Sequence, residues 1–191
     1  MSSIPFEKHT AIRVQDNGEL ALDAASPFPT LQPNTILVKT VAVALNPTDH
    51  KMATRFPIPG MTIGCDFTGT IVALGPGVPD LQQGQGRLWK VGDRVFGGIH
   101  GANPADPTCG TFGEYLVADA DFVFKAPEWM DWKTAAALGG VGIGTVGLAL
   151  FQYLKPPGTL EEPLNSEKVL PVLVNGGATA SGTMAIQLLK L

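Results

Sequence analysis

Apolar and polar positions alternate in short runs through the first two-thirds of the chain, then give way to longer apolar stretches. Thr10–Val14 and Glu19–Leu22 flank Asp16-Asn17-Gly18 and predict a hairpin. Pro27, Pro29 and Pro33 mark a loop. The β-branched run of Thr35–Leu45 predicts a long strand that stops at Asn46-Pro47, after which Thr48 or Asp49 can cap a short helix through Ala53. Thr54–Met61 carries two prolines and reads as a loop. Phe67–Leu74 is a further strand among Gly64, Gly69, Gly75 and Gly77, and Asp80–Lys90 is a polar turn region. Val91–Gly97 is a turn entering a strand, His100–Gly110 a loop, and Phe112–Ala118 and Phe122–Lys125 two more strands. Closely spaced turns between short strands predict a small β-barrel.

The pattern then changes period. Asp131–Leu138 predicts a helix with Asp131 in its first turn, and a second helix runs from Ile143 to Leu154. Lys155–Lys168 is a polar, Pro-bearing linker. Val169–Val174 is a continuous apolar run, the signature of a strand buried in a parallel sheet. It enters a turn with glycines at Gly176, Gly177 and Gly182, and an apolar helix starts at Thr183. Strand, Gly-rich turn and helix open a mononucleotide-binding unit, because glycines admit a pyrophosphate and the helix start offers free N–H groups. A plain strand–turn–helix with glycines for close packing has the same signature. The residue that reads the ribose 2′ position normally lies about 20 residues further on, beyond Leu191, so the sequence does not separate NAD from NADP. The strand's neighbours also fall beyond that point, and the last stretch is expected to be poorly ordered on its own.

Composition narrows the function classes. The 191 residues carry a net charge of −4, with no Lys/Arg run to track phosphates, which argues against nucleic acid. The apolar stretch Ala135–Phe151 is Gly-rich and short for a membrane span. Two cysteines, Cys65 and Cys109, are too few for a disulfide framework. With no charged-then-apolar leader at residues 1–8, the chain reads as cytoplasmic.

Motif order adds more. Asn46-Pro47-Thr48-Asp49-His50-Lys51 is followed by Gly64-Cys65-Asp66-Phe67-Thr68-Gly69 and Val91-Gly92-Asp93-Arg94-Val95-Phe96-Gly97. Gly110-Thr111-Phe112-Gly113-Glu114-Tyr115, Ala135-Ala136-Ala137-Leu138 and Leu173-Val174-Asn175-Gly176-Gly177-Ala178-Thr179 complete the series. Together they resemble the medium-chain dehydrogenase/reductase superfamily, in its zinc-free, quinone-oxidoreductase-like branch. The resemblance implies an α/β protein: a GroES-like β-barrel domain over residues 1–130, followed by connecting helices and the truncated start of a Rossmann fold over 131–191. Asn46 through Met52, Thr145-Val146-Gly147-Leu148-Ala149 and the Pro-bearing insert are most similar to the fungal trans-acting enoyl reductases of polyketide pathways, typified by the lovastatin enoyl reductase. That family implies a monomer that uses NADPH to reduce an enoyl thioester tethered to the acyl carrier domain of a polyketide synthase. By the same resemblance Thr48, Asp49, His50 and Lys51 line the cofactor site, with Gly176, Gly177, Ala178, Thr179, Ala180 and Ser181 on the dinucleotide. Thr145, Val146, Gly147, Leu148, Ala149, Leu150, Phe151 and Gln152 then line the substrate channel. The stretch Gln83–Lys90 is longer than the family pattern.

No metal is expected. A catalytic zinc takes three protein ligands plus water, and Asn46 stands where the zinc branch has a cysteine. Lys51 and Thr145 are the catalytic candidates: Lys51 for the nicotinamide ribose or the thioester carbonyl, Thr145 for a hydroxyl donated to substrate. Their plain alternatives are a solvated helix lysine and a helix cap. Asp93-Arg94 reads as a structural turn pair, and His9 and His100 as surface loop residues. A small-molecule quinone or alkenal reductase, and a truncated, catalytically silent relative, remain as alternative functions.

Overall fold

The computed structural model describes residues 7–78, 89–159, 161–164 and 170–190. The chain divides into two compact units, Met1–Gly140 and Val141–Leu191. Most of the polar region Asp80–Lys90, including Gln83 to Arg87, lies outside the described residues.

The first unit is antiparallel β. Strand β1 (Lys8–Val14) pairs with β2 (Leu20–Pro27) as a two-stranded sheet. The predicted hairpin turn is there: Gly18 N–H donates to Gln15 O and Gln15 N–H to Glu19 O. Pro27, expected in a loop, closes β2 opposite Lys8. A strand end tolerates it, since a proline lacks only the donor.

A five-stranded sheet holds the main core. It contains β3 (Thr35–Ala44), β4 (Asp66–Leu74), β5 (Arg94–Gly98), β6 (Tyr115–Asp119) and β7 (Val123–Lys125), in the order β6-β3-β4-β5-β7. Period-2 alternation places Ile36, Val38, Phe67, Ile71, Val95 and Leu116 in one buried cluster. The strand predicted to begin at Phe112 pairs into the sheet only from Tyr115, and a 3-10 turn at Ala120–Phe122 separates it from β7. Phe112 instead packs with Met61 and Ile63 in a second cluster.

Helix α1 (Pro47–Arg55) follows β3, and α2 (Trp132–Leu138) packs on β3, β4 and β5. Asp131 caps α2, its carboxylate accepting the N–H groups of Lys133 and Thr134. Arg94 holds the approach to that cap: its guanidinium donates to Glu128 O and Met130 O and lies over the Trp132 ring at 3.9 Å. Asp93 accepts the Lys90 N–H and pairs with Lys125 at 3.0 Å, so the Asp93-Arg94 turn is structural as read.

The second unit holds α3 (Val141–Gly147), a π-helical segment Leu148–Leu154 and α4 (Ala180–Leu188). The single helix expected over Ile143–Leu154 is therefore corrected: it begins at Val141 and widens at Leu148. Glycines at 142, 144 and 147 weaken the α winding before that point. At its end Lys155 N–H reaches back five residues to Leu150 O at 2.7 Å. The strand expected at Val169–Val174 is also corrected. Val169 lies outside the described residues, and Leu170–Val174 form no strand, because no described segment of this unit offers a ladder partner. Among the described residues no single helix is long and apolar enough to cross a membrane.

His9, read as a surface residue, is buried at 6 % exposure between Phe28 and Tyr115. Its Nδ1 accepts the Tyr115 N–H at 3.3 Å, which only a neutral ring can do. Burial pushes its pKa below the ordinary value against the raising effects of Glu114, Asp23 and the Pro27 carbonyl; Arg13 adds to the fall.

Two predictions follow from this packing. Phe67→Ala removes a fully buried ring and costs about 3–5 kcal/mol, read as a lower urea midpoint at unchanged slope. A lowered folded-state pKa at His9 means its contribution is complete above the unfolded value near pH 6.5. That contribution is lost as pH falls through the lower, folded value. The melting temperature therefore drops on acidification through this window, and His9→Gln flattens that part of the profile.

Candidate active site

The chain turns sharply at Asn46-Pro47, and α1 starts there. Pro47 takes the first helical position, where a missing N–H is harmless. The cap is Asn46, not Thr48 or Asp49 as the sequence suggested. Asn46 has the extended backbone of a cap, and its N–H donates to Asp49 Oδ2 at 2.7 Å while its C=O accepts the Asp49 N–H at 3.0 Å. Asp49, third in the helix, closes the cap from inside.

The Asn46 side chain faces another way. Its amide donates to Oδ2 of Asp66, at the start of β4, at 2.8 Å. Asp66 Oδ1 accepts the Gly140 N–H, also at 2.8 Å. Asp66 is only 3 % exposed. Its surroundings are built of glycine: Gly139 has φ +50, and a Cβ there would collide with the carboxylate, while one on Gly98 would sit 3.1 Å from Oδ1.

Burial raises the Asp49 carboxyl above its ordinary pKa. The Asn46 N–H and the thiol and N–H of Cys65 pull it back, and the Asp66 charge adds to the rise. The Cys65 thiol is pushed up to about 12, first by burial and then by the two carboxylates, against the lowering effect of the Gly101 backbone. Cys65 is therefore a protonated S–H. Among the described residues no three His, Cys, Asp or Glu side chains gather as metal ligands.

Helix α1 brings the four predicted cofactor residues onto little more than one turn. Thr48 is half-buried, Asp49 buried, and His50 and Lys51 exposed. No hydrogen bond or ion pair holds Lys51 among the described residues, so its ammonium is available to a ligand.

In the second unit the glycine turn is present although the strand before it is not. Gly176 has φ +75. Thr179 caps α4: its Oγ1 accepts the Gly182 N–H at 3.1 Å and donates to Gly176 O at 2.8 Å. A Cβ on Gly182 would strike the Gly176 carbonyl, so this spacing lets helix and turn approach closely. The helix begins at Ala180, three residues before the expected Thr183, because Thr179 supplies the cap. Ala180 and Ser181 are thus first-turn residues whose N–H groups have no intrahelical acceptor. Gly176, Gly177 and Ala178 form the turn beneath them.

The predicted channel residues split by burial. Thr145, Val146 and Gly147 end α3, and Leu148, Ala149, Leu150, Phe151 and Gln152 lie in the π-helical segment. Val146 and Leu150 are buried; Thr145, Leu148, Ala149, Phe151 and Gln152 are exposed. The sequence reading missed the Asn46–Asp66–Gly140 link. Its only trace is an acidic residue opening the apolar strand at Asp66-Phe67 and a Gly-Gly pair 73 residues later, at 139–140.

Comparison with known proteins places this geometry. Residues 32–128 match the alcohol dehydrogenase GroES-like domain. The trans-enoyl reductase ccsC of Aspergillus clavatus is 50 % identical over 184 residues, covering 96 % of this chain and 49 % of that protein. Thus the chain spans about half the length of the curated relatives it matches. An alcohol dehydrogenase superfamily protein from Novosphingobium aromaticivorans superposes with a TM-score of 0.75 at 27 % identity, over 96 % of this chain and 50 % of its own. A quinone oxidoreductase from Coxiella burnetii does so with a TM-score of 0.68 at 27 % identity, over 95 % and 53 %. With a mixed α/β fold and a GroES-like domain at its N-terminal end, the chain belongs to the alcohol dehydrogenase GroES-like domain family, within the medium-chain dehydrogenase/reductase superfamily.

Proposed function

We propose that the protein is an NADPH-dependent enoyl reductase that acts in trans, in the cytoplasm, as a monomer. Its substrate is an α,β-unsaturated polyketide thioester held on the carrier domain of a synthase. The observation that carries this reading is the 50 % identity to the Aspergillus clavatus trans-enoyl reductase across nearly the whole chain.

The residues present fit a dinucleotide. The close approach of Gly182 to Gly176 and the first-turn N–H groups of Ala180 and Ser181 form a cradle for a pyrophosphate. Gly177, Ala178 and Thr179 complete it. When bound, NADPH supplies the hydride, and with it the electron pair that reduces the double bond. Reduction would place that hydride at the β-carbon and a proton from water at the α-carbon, so the electrons and atoms of the saturated thioester balance. In this reading Lys51 donates to the thioester carbonyl or the nicotinamide ribose, beside Thr48, Asp49 and His50. Thr145 donates its hydroxyl to the substrate, and Val146 through Gln152 line its channel. Positioning of this kind supplies about 7–11 kcal/mol of barrier lowering, so no strong acid is required.

The likeness to the Coxiella burnetii quinone oxidoreductase favours a second reading, a reductase of free quinones or alkenals. One assay separates the two. NADPH consumption is followed with a carrier-loaded enoyl thioester, its pantetheine analogue and a free quinone. Turnover of the thioesters with NADPH in preference to NADH supports the proposal; turnover of the quinone alone supports the second reading. Lys51→Gln removes one charged hydrogen bond worth about 1.5–3 kcal/mol, so kcat/KM for the thioester falls about ten- to a hundredfold.

A further inference from the structure

One carboxylate joins the sheet, the head of α1 and the last residues of the first unit. Helix α1 is nine residues long and buries only Asp49 and Ala53. Met52 adds a partly buried contact with the cluster of Val14, Met61 and Ile63, and the hydrogen bonds at the helix head supply the remaining constraint on its place. Those bonds converge on Asn46. Its backbone N–H is held by Asp49 and its side-chain amide by Asp66 Oδ2. The other oxygen of Asp66 takes the Gly140 N–H, and the absence of a Cβ at Gly98 and Gly139 makes room for this approach.

We propose that Asp66 is a positioning residue for the cofactor-binding helix: its two oxygens hold Asn46 against Gly140 and so fix where Thr48 through Lys51 stand. The inference rests on the NADPH reading above. Asp66 is buried behind Asn46 and acts through it.

The hydrogen bonds, not the charge, carry the role, and this makes the proposal testable by conservative replacement. D66N keeps both bonds: its carbonyl oxygen accepts Gly140 N–H, and its NH2 donates to an Asn46 amide turned over to present oxygen. D66A leaves both partners unpaired. N46A removes one link and spares Gly140.

The test measures two quantities on the 191-residue chain and these variants: the NADPH dissociation constant by fluorescence, and amide exchange at Asn46, Gly140 and, as a control in the sheet, Ile71. In D66A, NADPH binding weakens about tenfold or more, and the Asn46 and Gly140 amides exchange about tenfold faster while Ile71 stays protected. D66N restores both readouts. N46A weakens NADPH binding with Gly140 still protected. A purely structural role would lower the melting temperature and leave the dissociation constant unchanged in the folded protein, which overturns the proposal. It is equally overturned if D66N binds NADPH as weakly as D66A. If D66A unfolds, wild-type NADPH affinity in N46A overturns it. Failure of the wild-type chain to bind NADPH refutes the cofactor reading instead, and the positioning of α1 is then decided by Asn46 exchange alone.

Discussion

A carboxylate at 3 % exposure must be paired, because an ionised group buried without partners costs far more than one domain's stability margin. Asp66 meets that constraint with the Asn46 amide and the Gly140 N–H, and much of the local architecture is arranged around it. Strand β4 begins at Asp66, α1 begins one residue after Asn46, and the first unit ends at Gly140. The glycines at 98 and 139 let the backbone come close enough to bond. Each of the two bonds ties a separate segment to the start of β4.

The same neighbourhood explains its own chemistry. Asp49 and Cys65 are both buried, and burial pushes both pKa values up. The thiol stays protonated beside the carboxylate. Lys51 on α1 and Thr145 in the second unit are exposed instead, and the proposed reading assigns the ligand contacts to them.

Much of the fold was legible because strand periodicity and turn residues act locally. The β-branched run that became Thr35–Ala44 and the turn at Asp16-Asn17-Gly18 need no distant partner to be recognised. The misses share a different cause: each depends on a contact made elsewhere. Val169–Val174 has the composition of a strand, but a ladder requires neighbours and none of the described residues supplies one. Asn46 outranked Thr48 and Asp49 as a cap because Pro47 fixes the first helical position, and its side chain is drawn to Asp66, 20 positions away in sequence. His9 is buried because β6, more than 100 residues on, supplies the Tyr115 N–H. The candidate residues on α1 and α4 stand in short motifs that a sequence displays; the Asn46–Asp66–Gly140 link does not, since Asp66 bonds a donor 74 positions away.

In the proposed reaction, hydride passes from NADPH to a thioester-activated double bond. It is tested most directly with NADPH deuterated at the transferable nicotinamide position and an enoyl thioester on a pantetheine arm. The product is analysed by mass spectrometry. The expected result is one deuterium in the saturated product, located at the β-carbon, with the α-carbon proton drawn from water. A product without label, or no saturated product while a free quinone is reduced, would contradict it.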